Sequence, residues 1–153
     1  MKLVILLVIS FFWKPVQSEG DLTKQVPIEF NLSLKGEKGK GHYFSPSKLK
    51  FKTGNLHKLV ILNESKSKHY FTSNGFSKSI FTRKVQVLQE NGKKSAEIKG
   101  IINEIEIFPG QKVEWWFVPI KTGIFLDLNC RIIDEVNNKK HSLMGMTGTI
   151  IIY

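Results

Sequence analysis

The sequence has little cysteine, and its single cysteine, Cys130, excludes an internal disulfide. Proline is also scarce, and acidic residues are few: 13 Asp and Glu stand against 23 Lys and Arg, so the net charge is +10. A basic chain favours an acidic protein, an anionic membrane surface or nucleic acid as its partner. Because the lysines are scattered rather than grouped with aromatic residues in one motif, we predict no nucleic-acid partner.

Long apolar runs are absent except at the N-terminus, where residues from Leu3 to Trp13 are almost all apolar. Lys2 precedes this run and small or polar residues follow it up to Ser18, which is the three-part layout of a secretory signal peptide. A membrane-spanning helix needs about 20 apolar residues, so a retained anchor is the weaker interpretation. We predict a signal peptide at 1–18 cleaved near Ser18, a periplasmic or secreted protein, and no transmembrane segment in the mature chain.

Residues 19–153 are then enough for one compact domain with a full hydrophobic core. Exported proteins normally pair their cysteines, because the compartment is oxidising. In an exported chain the unpaired Cys130 is therefore a buried residue without a chemical role, a reactive thiol or a metal ligand.

Short runs in which apolar and polar residues alternate predict β-strands with one buried face. Turn signals such as Asn91-Gly92 and Pro109-Gly110 separate these runs. About seven to eight such strands favour an all-β fold, a Greek-key β-sandwich. From 74 to 88 the apolar residues fall at steps of three and four, which predicts a short amphipathic helix, although an extended segment also suits Val85 and Val87.

Four residues are potential soft or borderline metal ligands, namely His69, Cys130, His141 and a methionine near the C-terminus. His69 follows a strand and a polar loop, Cys130 ends a strand, and His141 and Met146 lie just before the last strand. The ends of such strands can meet at one pole of a sandwich. Two imidazoles and a thiolate with a weak axial thioether are the donor set of a blue-copper site.

The order of motifs resembles the cupredoxin family along nearly the whole chain after the signal peptide. The resemblance lies in residues 43–54, in 59–63 followed by 69–73, in 105–110, in 117–125 with Gly123, and in the C-terminal motif at 141–150. This last motif begins His-Ser-Leu-Met-Gly-Met-Thr-Gly and is similar to the plastocyanin type. It implies a cupredoxin-like fold over 19–153 and one mononuclear copper ion. It also implies the ligands, namely the imidazoles of His69 and His141, the thiolate of Cys130 and the axial sulfur of Met146, with Met144 as the second axial candidate.

Three features depart from the family pattern. The residues from Arg131 to Lys140 form an insertion between the cysteine and the second histidine ligand. Gly123 lies one residue further from Cys130 than usual, which predicts a bulge in that strand. Tyr70 stands where relatives commonly place an asparagine that ties the ligand loops together.

His42 and His57 fall outside the matching motifs, and we interpret them as non-ligands.

The leading functional hypothesis is an exported one-electron carrier whose partner is an acidic redox protein, with the chain a monomer. Two other hypotheses stay open: a copper chaperone or storage module that delivers the ion to an acceptor protein, and a metal-free binding module that keeps the fold. We do not expect an enzyme, because no nucleophile with its base, no phosphate-binding loop and no second metal centre can be assembled from the sequence.

Overall fold

The computed structural model describes residues 24–153, so the predicted signal peptide and its cleavage near Ser18 lie outside the described residues. Alternating burial along the strands builds two mixed sheets that enclose one core. Within the described part of the chain, no helix is long and apolar enough to cross a membrane.

The first sheet has six strands in the order β2-β1-β4-β9-β6-β7. Neighbouring strands are antiparallel except β1 and β4, which are parallel. The strands of this sheet are β1 (Ile28–Glu37), β2 (Gly41–Ser45), β4 (His57–Asn63), β6 (Ile80–Leu88), β7 (Lys94–Ile98) and β9 (Lys112–Pro119).

The second sheet has five strands in the order β3-β11-β10-β5-β8. Here β3 and β11 are parallel and the other neighbours are antiparallel. Its strands are β3 (Lys48–Phe51), β5 (His69–Thr72), β8 (Glu104–Ile107), β10 (Gly123–Asn129) and β11 (Thr147–Ile152). The result is the predicted all-β sandwich.

Alternation places Trp115 and Phe117 of β9 in the core between the sheets. Trp115 and Phe117 are fully buried, and Phe76 packs edge-on against both of them, with ring centroids 5.5 and 5.1 Å apart. Each such aromatic pair contributes about 0.5–1.5 kcal/mol beyond the area that it buries. This packed core holds the strand ends that carry the candidate site.

The helix predicted near 74–88 is limited to one short helix, α1 (Asn74–Ser77). Ile80–Leu88 is instead a strand that pairs with β9 and β7. A register shift between Thr82 and Lys84 interrupts its alternation, so the two core-facing residues Ile80 and Val85 lie five positions apart. The bulge therefore gives this strand an apolar spacing that does not alternate, which is why the sequence pattern predicted a helix.

The described residues form eleven strands rather than seven to eight. The strand β7 shows why the prediction was too low, because all five of its residues are exposed and its sequence does not alternate. By contrast, the bulge predicted between Gly123 and Cys130 is confirmed, since β10 shifts register against β11 between Phe125 and Leu128.

Candidate metal centre

Strand ends at one pole bring the predicted site residues together. His69 begins β5, Cys130 directly follows β10, and His141 opens a 3₁₀ helix (His141–Met144) that leads into β11. Backbone hydrogen bonds join these segments: Cys130 N–H donates to Met146 O at 3.2 Å, and Met146 N–H donates to His141 O at 2.9 Å. The side chains of His69, Cys130, His141 and Met146 are all buried.

Three donor atoms form a small triangle at this pole. His69 Nδ1 lies 3.1 Å from His141 Nδ1, and Cys130 Sγ lies 3.8 Å from the first nitrogen and 3.6 Å from the second. A point equidistant from the three atoms lies about 2.0 Å from each of them, which is the length of a metal–imidazole bond. A metal–thiolate bond is longer, about 2.3 Å, and a small shift of that point away from the sulfur provides this length. The triangle therefore fits one metal ion held by two imidazoles and one thiolate.

The tautomer of His69 is set by Ser65. Its Nε2 lies 2.8 Å from Ser65 Oγ, and that hydroxyl also reaches Asn63 Oδ1 at 2.8 Å and Ser67 O at 2.9 Å. Because the last two oxygens can only accept, they draw the hydroxyl proton, and His69 Nε2–H donates to Ser65 Oγ. The lone pair of Nδ1 then faces His141 and Cys130, as a metal ligand requires.

Asn63 anchors this network from the end of β4. Its Nδ2 group donates to Ser67 O and to Ile107 O, both at 2.8 Å, and its Oδ1 also accepts from Ser65 N–H. The amide is buried, so all these bonds are shielded from water. Asn63 thus ties the loop before His69 to strand β8. An asparagine therefore links these segments from position 63, although Tyr70 stands where relatives commonly place one.

The Cys130 sulfur accepts a hydrogen bond from the backbone N–H of Tyr70 at 3.2 Å. Since the donor is backbone, the replacement of asparagine by Tyr70 leaves this bond in place. Burial raises the pKa of the Cys130 thiol, while the N–H groups of Tyr70 and Ile132 oppose the rise by stabilising the thiolate. A bound cation would shift the balance fully to the thiolate.

The two facing imidazoles are held neutral. Burial, together with the nearby His141 and His42, lowers the pKa of His69 to about 3. Burial and His42 lower the pKa of His141 to about 4, although the carboxylate of Asp134 opposes this shift. Neutral imidazole is the form that binds metals, so the site is prepared for a cation at neutral pH.

Sequence reasoning missed His42, which the structure places beside the other two histidines. Candidate ligand atoms of His42, His69 and His141 all lie within 4.8 Å of one another. The His42 ring stacks on the His141 ring, with centroids 3.6 Å apart and planes 22° apart. Alternation in β2 could have revealed it, because His42 shares the buried face with Phe44.

His57, the other histidine interpreted as a non-ligand, lies apart from this cluster. It packs among Phe30, Phe51 and Phe117, and its Nε2 contacts the backbone O and N–H of Lys52 at 2.9 and 3.2 Å. Burial lowers its pKa. It is a core residue.

The insertion from Arg131 to Lys140 is clamped onto the β1–β2 turn. Asp134 is buried, and its Oδ2 accepts from Gly39 N–H at 3.0 Å and lies 3.2 Å from His42 Nε2. Its Oδ1 accepts from the N–H groups of Val136 and Asn137. These backbone donors hold the pKa of Asp134 well below its usual range, so the residue is a carboxylate that fixes the loop.

A cavity of about 270 Å³ opens beside His141. The inserted loop forms one wall of it, and the loop before His69 forms another. Its lining includes His141, Lys66, Ser67, Phe108, Ile132 and Glu135. The cavity gives a small molecule or a partner side chain a route towards His141, whose own side chain is buried.

No protein-family model matches the sequence, and no curated protein matches it. Solved structures do match: a multi-copper oxidase from Pediococcus acidilactici has a TM-score of 0.60 and 17% identity over 99% of this chain and 31% of its own. A multicopper oxidase from Campylobacter jejuni has a TM-score of 0.57 and 18% identity, and the match covers 84% of this chain and 30% of the oxidase. The chain therefore spans about a third of the length of these proteins.

A Cu-containing nitrite reductase from Thermus scotoductus is similar as well, with a TM-score of 0.59 and 10% identity over 82% of this chain and 31% of its own. Multicopper oxidases and copper nitrite reductases are cupredoxin-fold proteins. The chain has a cupredoxin-like fold, as its motifs predicted.

These neighbours correct the prediction that the chain is not an enzyme, because they are copper enzymes, of which this chain resembles a single small domain. The prediction rested partly on the lack of a second metal centre and mainly on missing hydrolytic and phosphate-binding residues. Redox enzymes do not need such residues, because a metal and its ligands supply their chemistry. The absence of those motifs was therefore no ground for exclusion.

Proposed function

We propose that the chain binds one copper ion through His69 Nδ1, His141 Nδ1 and Cys130 Sγ, and that it transfers single electrons. The observation that carries the proposal is the triangle of these three atoms, whose dimensions suit a trigonal site with two imidazoles and one thiolate. Copper, when bound, supplies a one-electron couple that both sulfur and imidazole ligands tolerate.

The protein residues fix the geometry of this site. Ser65 and Asn63 direct the lone pair of His69, and the N–H of Tyr70 holds the sulfur. Because paired strands and backbone hydrogen bonds hold the buried donors, their positions would change little between oxidation states, which favours fast electron transfer. Met146 would supply the weak thioether donor, because it is fully buried, whereas Met144 lies half-buried at the end of the 3₁₀ helix.

The burial of the donors favours an electron-transfer site over rapid copper delivery. A chaperone must release its ion to an acceptor, but here the donors are buried and Asp134 fixes the inserted loop to Gly39 and to His42 beside the site. The net charge of +10 supports an acidic redox partner, whose association would weaken as salt is added. Export after loss of residues 1–18 would place this exchange in the periplasm or outside the cell.

The test is a visible absorption titration of the purified protein with cupric ion beside Cys130→Ser. We expect an intense thiolate-to-copper band that saturates at about one ion per chain and is lost in the variant, because the thiolate is the donor of that transition. Met144→Leu is a matched control outside the triangle and should keep the band. A wild-type protein that binds no copper would refute the proposal.

A further inference from the structure

His42 is the buried group that the proposed ligand set leaves unexplained. Its side chain is fully buried in β2, its Nδ1 has no hydrogen-bond partner, and its Nε2 lies 3.2 Å from Asp134 Oδ2. A carboxylate oxygen can only accept, so the Nε2 of His42 carries the hydrogen and donates a hydrogen bond to Asp134.

Both edges of the His42 ring are occupied by the protein. A Cβ atom built on Gly36 would lie 2.5 Å from His42 Nδ1, so the Nδ1 edge of the ring abuts the Gly36 backbone. The other ring nitrogen, Nε2, is hydrogen-bonded to Asp134. Gly36 has φ of 142°, a conformation that favours glycine. The close approach of the ring to this backbone therefore depends on glycine at this position.

The face of the ring is what His42 presents to His141. Ring centroids 3.6 Å apart with planes only 22° apart are in van der Waals contact. Ligand lone pairs lie in the plane of an imidazole, so two rings stacked in this way do not both point at one ion. The geometry is that of a support for His141 rather than that of an additional ligand.

We propose that His42 is a positioning residue that holds the His141 ring with Nδ1 towards His69 and Cys130. The copper part of this inference rests on the proposed function. The His42 ring is itself held at both edges, by the Gly36 backbone and by the hydrogen bond to Asp134. A His141 ring that turned out of its present plane would lose its stacking contact with the His42 ring.

This arrangement also gives the insertion a role. Asp134 lies between Cys130 and His141 in the sequence, and it binds both its own loop and His42. The loop that separates two ligands along the chain thus reaches across to β2 and orients the residue that supports the second ligand.

Three substitutions at His42 separate its ring from its hydrogen bond. His42→Phe keeps a ring for stacking but loses the donor to Asp134, His42→Gln keeps an N–H donor but loses the ring, and His42→Ala loses both. His57→Phe is the matched control, because it removes another fully buried histidine outside the cluster. Melting of the metal-free proteins measures the general cost of each change.

In the copper-loaded protein, we expect His42→Ala to weaken copper binding by about 10- to 100-fold, the range seen when residues behind metal ligands are lost. The thiolate-to-copper band should shift in His42→Ala and His42→Gln, and return towards the wild-type position in His42→Phe. An unchanged band and affinity in His42→Ala, or equal losses in His57→Phe, would overturn the inference.

A second measurement needs no metal and so separates this inference from the copper proposal. In the metal-free protein, NMR should show an upfield ring-current shift of the His141 ring protons and cross-relaxation between the rings of His42 and His141. We expect His42→Gln to abolish the ring-current shift and His42→Phe to retain it. A wild-type spectrum without cross-relaxation between the two rings would overturn the positioning role, whether or not copper binds.

Discussion

The structure buries imidazoles in two regions with opposite surroundings. His57 is a single ring in an aromatic cage, and the backbone of Lys52 satisfies its Nε2. In the candidate metal centre, the Nδ1 atoms of His69 and His141 face each other at 3.1 Å, and both face the sulfur of Cys130. A lone buried histidine is therefore accounted for by packing, whereas several soft donors that converge on one point are suited to a cation.

The strongest test of this contrast removes one histidine from each region. His69→Ala should abolish stoichiometric copper binding, because a triangle without one nitrogen loses a third of its ligands. His57→Ala should keep copper binding and instead lower the free energy of unfolding, by about 2–4 kcal/mol if it behaves like other large-to-small core changes. Calorimetric titration with cupric ion and thermal melting measure the two effects. Equal copper affinity in both variants would remove the distinction between the regions.

The next test weakens the support of His69 without touching a ligand. Ser65→Ala should reduce copper affinity by about 10- to 100-fold, because His69 Nε2–H loses the acceptor that fixes its tautomer. Ser67→Ala is the matched control, since Ser67 enters the network through its backbone O and N–H. Competition with a chelator measures both affinities. If the two variants bind equally well, the network does not orient His69.

A smaller effect should appear as a pH dependence of the metal-free protein. The folded pKa values of about 3 for His69 and about 4 for His141 lie below the ordinary value of 6.5. The unfolded chain therefore takes up protons first as the pH falls, and stability that is present above pH 6.5 is lost as the pH approaches 4 and then 3. Melting temperature should decline across this window and decline less in His69→Gln. A flat profile between pH 7 and pH 4 would contradict the assignment.

The smallest expected effect concerns the two methionines. Met146→Leu should shift the reduction potential of the copper site, because a weak axial thioether tunes that potential. Met144→Leu should leave it nearly unchanged, since Met144 is half-buried at the end of the 3₁₀ helix. Spectroelectrochemical titration of both variants checks the difference. A shift confined to Met144→Leu would reverse the axial assignment.

The fold could be predicted from sequence because alternation reports on buried faces, and β9 with Val113, Trp115 and Phe117 is a clear case. Alternation failed where a bulge shifted it in β6, and where β7 buries neither face. Burial of a strand is a tertiary property, so an edge strand of polar residues leaves no periodic signal.

The site was only partly accessible to sequence reasoning for a similar reason. Motif spacing pointed to His69, Cys130 and His141, and the structure brings these three together. His42 carries no motif, because its role depends on contacts with Asp134 and His141, more than 90 residues away along the chain. Such pairings arise only when the sheets close, so no local pattern reports them.

The buried position of Asn63 affects the choice of host in which the protein is expressed. The sequence contains two N-glycosylation acceptor motifs, Asn31-Leu32-Ser33 and Asn63-Glu64-Ser65. Asn31 is exposed, so a glycan there would extend into solvent, but the Asn63 amide is buried and donates to Ser67 O and Ile107 O. A sugar attached to Asn63 during synthesis would remove one of these donors and could not fit into the folded loop. Production through a eukaryotic secretory route should therefore yield misfolded material, which bacterial expression would avoid.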